Sequence, residues 1–150
     1  MKALTPNLES HRPVFREIEL KDFPQLTSSS KKLDRKKRLK VELEKAIGKD
    51  LKIIQTRCEN QHLLIDVSFR VIESDEKGRS KTDLDNLLRI LLDVLSVNMV
   101  NGQDPISGLG LVQNDAQIYE IRCKKIPVTK ETDEGINIQI SVIPKTADKL

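Results

Sequence analysis

The sequence predicts an α+β domain, a mixed β-sheet packed with two main helices. Three observations carry that expectation. Two segments alternate strictly, as half-buried strands do. In 62–72, "HLLIDVSFRVI", Leu63, Ile65, Val67, Phe69 and Val71 interleave with Leu64, Asp66, Ser68 and Arg70; in 135–143, "GINIQISVI", Ile136, Ile138, Ile140 and Val142 share one face. Two other segments, about 33–47 and 83–97, space their apolar residues as helices do. The resulting order, β-α-β-β-α-β-β over 150 residues with no internal repeat and no long linker, suits one domain spanning 1–150.

Taken in order, "VFREIEL" (14–20) reads as a first strand, and "DFPQLTSSS" (22–30) as a loop by its proline and serines. From 33 to 47, Leu39, Leu43, Ala46 and Ile47 fall on one helical face, and Gly48 supplies the stop. "LKIIQTR" (51–57) reads as a short strand, joined through "ENQ" to 62–72 as a hairpin. In 83–97 the polar residues Asp85, Asn86, Arg89, Asp93 and Ser96 fill a narrow arc. The rest of that helix is apolar apart from Asp83, so it should be buried on more than one side. The connection 98–114, with three glycines and a proline, reads as a long irregular loop. Strands at 115–126 and 135–143, joined by "PVTKETDE", form a second expected hairpin.

Composition narrows the function. With 37% apolar and 33% charged residues, and no apolar run of the ~18 residues a spanning helix needs, a membrane protein is excluded from the expectation. The first residues, "MKALTPNLESHRP", lack a signal-peptide block, and the expected location is cytoplasmic. Cys58 and Cys123 form no C-x-x-C pair and are expected as reduced thiols. Two histidines and two cysteines are a poor supply for zinc, so a metal would be held by carboxylate oxygens, favouring Mg²⁺ with Mn²⁺ as the substitute.

Charge is unevenly distributed. Residues 31–52 hold ten Lys/Arg against four Asp/Glu, a local excess of six, whereas the whole chain carries +3. Lys31, Lys32, Arg35, Lys36, Lys37 and Arg38 are the candidate phosphate contacts of a nucleic-acid surface. The competing reading is a solvated helix face with i,i+4 pairs such as Lys40 with Glu44. Three Phe, one Tyr and no Trp are too few for an extended single-strand platform. Recognition of a duplex or junction by backbone and shape suits the chain better. No P-loop and no G-x-G-x-x-G is present.

The chemistry concentrates in "TDLDN" (82–86), where Asp83 and Asp85 stand at the entry of the apolar helix. Thr82 and Asp85 resemble a capping box, and capping needs one acid rather than two. Paired carboxylates repel unless a divalent cation binds them. Asp115, in "QNDA" before a strand, is the third candidate ligand, or else an ordinary turn residue. Arg89 and Asp93 share the stripe of Asp85, either as an ion-pair ladder or with Arg89 placed at a phosphate.

Three pieces in order, "TDLDNLLRILLDVL" (82–95), "QNDAQIYEIRCKKI" (113–126) and "PVTK" (127–130), together resemble the RusA-type Holliday-junction resolvases, over about the C-terminal half of the chain. The resemblance implies a RusA-like homodimeric, Mg²⁺-dependent endodeoxyribonuclease that cuts four-way DNA junctions symmetrically in recombination and repair. It implies Asp83, Asp85 and Asp115 as metal-binding catalytic acids, Asn86 in support and Lys125 facing DNA. The family usually carries lysine at the position of Arg89, and arginine is a poor proton donor at neutral pH. Loop 98–114 is longer than usual for the family, and its proline-rich aromatic N-terminal motif is faint here. The alternative is a non-catalytic branched-DNA-binding protein whose acids serve as helix caps.

Overall fold

The computed structural model describes residues 11–24, 32–72, 83–100 and 105–145. Lys31, Thr82 and most of the expected loop 22–30 lie outside the described residues. The elements are β1 (Arg12–Pro13), β2 (Ile18–Lys21), α1 (Lys32–Ile47), α2 (Leu51–Cys58), β3 (His62–Ile72), α3 (Leu84–Leu95), β4 (Asn98–Val100), β5 (Ile106–Ser107), β6 (Ile118–Val128) and β7 (Gly135–Ile143). The α+β class is as expected: a mixed sheet runs β1-β7-β3-β6, with β2 also on β7.

β3 and β7 are antiparallel neighbours from His62↔Ile143 to Arg70↔Gly135, and β6 lies parallel to β3. A parallel pair needs a crossover, and the segment containing α3 supplies it. The expected hairpin between 115–126 and 135–143 is therefore corrected, because β3 lies between those strands. The reason is burial. β3 and β7 have the most buried residues and take the centre, while β6 exposes Tyr119, Arg122, Lys124 and Lys125 and is left at the edge. Pro127, which cannot donate to a ladder, is tolerated in such an edge strand.

The other expected hairpin is also corrected, since 51–58 is helical. Its Ile and Thr residues resemble a strand, but Ile47, Leu51, Ile54 and Cys58 recur at 4, 3 and 4 residues, and Ile47, Ile54 and Cys58 are buried. Packing on that face outweighs β-propensity. Gly48, at φ +70, turns the chain out of α1, and a 3₁₀ turn, Gly48–Asp50, leads into α2. The expected first strand, 14–20, is shortened to β2, its residues 14–16 forming a bend. β1 and β2 pair with β7 on either side of a bend at 14–16.

One apolar cluster unites Leu39, Leu43 and Ile47 of α1, Ile54 and Cys58 of α2, Leu87, Leu91 and Val94 of α3, and the inward residues of β3 and β7. α3 buries one face rather than several: Leu87, Ile90, Leu91, Val94 and Leu95 are buried, while Leu84, Leu88 and Leu92 flank that face only partly covered. No helix among the described residues is long and apolar enough to cross a membrane.

Residues 101–104 of the connection after α3 lie outside the described residues, and its described part is a built strap rather than an irregular loop. β4 and β5 pair, and the chain then returns under the end of α3. The amides of Leu109, Gly110, Leu111 and Val112 donate to the carbonyls of Val94, Ser96, Leu95 and Leu95 at 2.7–3.0 Å. These bonds satisfy carbonyls that a helix end leaves without partners. Met99, Leu109, Leu111 and Val112 are buried beneath it, and Gln55 Nε2 of α2 donates to the Leu109 carbonyl at 2.7 Å.

Both cysteines are unpaired thiols. Burial pushes the Cys58 thiol up from 9.0 to about 11 and raises Cys123 as well. Iodoacetamide at pH 8 is expected to alkylate half-buried Cys123 and spare Cys58 until the protein unfolds, as peptide mass spectrometry will show. A folded value above the unfolded one contributes stability below about pH 9 that is lost as pH rises through about 11.

Candidate functional site

α3 begins at Leu84, with Asp83 at its N-cap in extended backbone, φ −69 and ψ 146. The Asp83 side chain makes no capping bond, and Asp85 stands one position too early to complete the expected box. Asp83 therefore holds the N-cap position without a side-chain cap bond, and Asp85 lies in the first turn, where a carboxylate favours the helix dipole. Asp85 is exposed and shares the i,i+4 stripe with Arg89 and Asp93.

Asp115 opens the 3₁₀ turn Asp115–Gln117, and the capping there belongs to its neighbours. Asn114 Oδ1 accepts from the Ala116 amide at 2.8 Å, while Gln117 Oε1 accepts from the amides of Gln113 at 2.8 Å and Asn114 at 3.2 Å. Gln117 Nε2 donates to the carbonyls of Cys58 at 2.9 Å and Gln61 at 3.2 Å. Gln117 thus ties the Asp115 turn to the end of α2. Asn114 and Gln117 were missed as site residues, although an Asn followed three positions later by Gln is a capping-box signature.

A cavity of about 740 Å³ lies between α3, the strap and the start of β6. Asp85, Arg89, Asp93, Asn114 and Asp115 supply its polar lining, and Leu88, Leu92, Ile118 and Ile121 much of its apolar lining. Two of the three expected acids are thus brought onto one cavity. Asp83 is not among its lining residues; two positions before Asp85, it does not share that residue's stripe. Among the described residues no three Asp, Glu, His or Cys side chains are grouped to hold a metal ion, so the expected trio is not assembled. Of the three expected acids, Asp85 and Asp115 are the two on this cavity, and a cation held there would draw on them. Mg²⁺ is commonly held by one or two carboxylates, with water and phosphate oxygens completing its shell. Neither carboxylate takes part in a hydrogen bond or ion pair among the described residues.

The expected Asp85–Arg89–Asp93 ladder is replaced by a contact between helices. Asp93 pairs with Lys36 of α1 at 2.8 Å, and Lys36 also donates to the Met99 carbonyl at 3.4 Å. Arg89 remains exposed on the cavity. Likewise Lys45 pairs with Glu42, at 3.4 Å, and no Lys40–Glu44 bridge forms.

The basic residues of α1 divide by position. Lys32, Lys37 and Arg38 are exposed, Arg38 resting its guanidinium 4.9 Å from the Phe23 ring centroid. Arg35 and Lys36 are half-buried, with Lys36 committed to Asp93. Burial lowers the Arg35 guanidinium to about 10; nearby Glu134 counters this, and Arg38 adds to it. Glu134 is itself buried at 3% exposure. Glu134→Gln leaves the Arg35 charge uncompensated, and the expected loss is about 3 kcal/mol. That corresponds to a Tm lower by roughly 6–12 °C, read by calorimetry; Arg35→Met, which strands the more deeply buried Glu134 carboxylate, should lose at least as much. Asn86 is half-buried on α3, and Lys125 is exposed on β6 opposite Phe69.

Compared with known proteins, the chain matches no family model and no curated protein.

Proposed function

We propose that this chain is a metal-dependent endodeoxyribonuclease acting on branched DNA, with the four-way junction as its principal substrate. The observation that carries the reading is the placement of Asp85 and Asp115, far apart in sequence, on one cavity with Arg89, neither carboxylate being engaged by another side chain or amide among the described residues. The RusA-like pieces "TDLDN" and "QNDAQ" supply these same two walls, and supply the substrate class.

Asp85 and Asp115 would hold Mg²⁺, with Mn²⁺ as a substitute. A bound ion would supply acidification of a water and charge neutralisation at the scissile phosphate. Arg89 presents a guanidinium to phosphate oxygens, a geometry it serves well whereas proton donation is closed to it. Asn114 and Gln117 fix the turn that aims Asp115. Asp83 and Asn86 stand at the same end of α3 without lining the cavity, and would act on the cleft only from outside it. Lys32, Lys37 and Arg38 are the exposed cations of α1 suited to backbone phosphates, and Lys125 lies on the strand following Asp115.

Symmetric cutting of a junction calls for a two-fold dimer. The outer edge of β6 has no partner strand among the described residues, and exposed Val97, Ile121 and Ile126 lie on α3's exit and on β6. Those features support a second copy on that side. The test is incubation with a synthetic four-way junction with and without Mg²⁺. Paired nicks in opposite strands that require the ion are expected. Binding without any ion-dependent cutting rejects the nuclease.

A further inference from the structure

The only tyrosine in the chain, Tyr119, is also the most exposed large apolar side chain among the described residues, at 63%. It sits where β6 slips register against β3: Leu63 faces Ile118 and Leu64 faces Glu120, leaving Tyr119 unmatched. A bulge of this kind re-aims a side chain. Here the ring lies against His62 at 3.9 Å between centroids and 19° between planes. The stack borders a second cavity of about 430 Å³, whose lining includes Asn60, Gln61, Asn114, Gln117 and Lys145. Gln113 and Asn114 line both this cavity and the one holding Asp115, so the Asp115 turn is the wall between them.

We infer that the His62–Tyr119 stack is a platform for one unpaired nucleobase of DNA, seated beside the Asp85–Asp115 cleft. Every base offers a π-face to stack on an exposed aromatic ring. Gln117 and the Asn114 Oδ1 are committed to the turn, but the side-chain amides of Asn60 and Gln113 on the same cavity carry donors and acceptors for base edges, and Lys145 adds a cation for the adjoining phosphate. One platform cannot hold an extended strand, in keeping with the scarcity of aromatics, but it suffices for a single nucleotide extruded where duplex arms meet. Because the ring lies across one turn of chain from Asp115, the extruded base would fix the branch point relative to the cleft. The choice of DNA as the ligand rests on the nuclease reading.

The absence of tryptophan makes the test direct, because intrinsic tyrosine emission comes from Tyr119 alone. With EDTA present and after inner-filter correction, a short single-stranded oligodeoxynucleotide is expected to quench that emission, and a duplex of the same sequence is not. Tyr119→Ala should weaken single-strand binding roughly 10-fold and leave duplex binding within about twofold; Tyr119→Phe should bind like the parent. A parent emission indifferent to unpaired bases overturns the platform. So does a Tyr119→Ala variant that binds single strands normally, loses duplex equally, or changes its oligomeric state instead. A parent that cuts no junction yet shows the quenching rejects the nuclease and keeps the platform; a Tyr119→Ala variant that binds and cuts junctions like its parent rejects the platform alone.

Discussion

Asp115→Asn is expected to lower Mg²⁺-dependent junction cutting by at least about 100-fold, since even groups outside the ligand shell of a metal commonly alter activity 10- to 100-fold. Binding of the junction and thermal stability should hardly change. Asp115 is exposed and its side chain has no hydrogen-bond partner among the described residues, so the amide removes charge without breaking a contact. The cap of that turn comes from Asn114 and Gln117, which remain. Surface changes of this kind usually fall within about 0.5 kcal/mol. Asp85→Asn should behave alike. Asp83→Asn should lose less, because Asp83 lies off the cavity. Gel analysis of labelled junctions gives cutting, mobility shift in EDTA gives binding, and calorimetry gives stability. Undiminished cutting by both Asp85→Asn and Asp115→Asn would remove the basis for a metal at this cleft.

Gly108→Ala should be among the most damaging single methyl additions to the fold. A Cβ at Gly108 would run into the backbone carbonyl oxygen of Ser96 and stand 2.8 Å from that of Val94. Backbone at both points is committed: Ser96 and Val94 accept bonds from Gly110 and Leu109. The side chain has nowhere to turn, so the strap must move away from α3. That movement breaks several of the hydrogen bonds closing the helix and loosens buried Leu109 and Leu111. Steric overpacking contributes roughly 1–3 kcal/mol, and lost bonds add about 1 kcal/mol each. A loss of about 3 kcal/mol or more lowers Tm by roughly 6–12 °C. A melting curve within 2 °C of the parent, by the scale of about 2–4 °C per kcal/mol, would mean that the strap yields more easily than its bonding implies.

The parts of the fold legible in sequence are those with a long single period. β7 occupies 135–143 and β3 occupies 62–72, as their alternation indicates, and α3 differs from its expected span only at its ends. Short segments were ambiguous. Ile53 and Ile54 suggest a strand until Ile47 and Cys58 are counted with them, since the helical spacing shows only across the Gly48 bend. Strand neighbours were not legible either. Nothing local in "PVTKETDE" reveals that β3 separates β6 from β7. Asp85 and Asp115 stood out because carboxylates beside an apolar helix and before a strand are conspicuous, whereas Gln117 acts through geometry that only the folded turn creates. Arg35 and Lys36 read as surface cations among many, and only packing against Glu134 and Asp93 distinguishes them from Lys37.

Val112, bonded to the last turn of α3, lies three residues before Asp115, and α3 carries Asp85 on its first turn. The two carboxylates are therefore yoked through one rigid lever, with its fastening at the far end. Heat cannot slacken the cleft without also releasing the lever from the hydrophobic interior. Inactivation and global melting should consequently follow a single curve, with no milder temperature at which the molecule stays folded but has lost its working geometry.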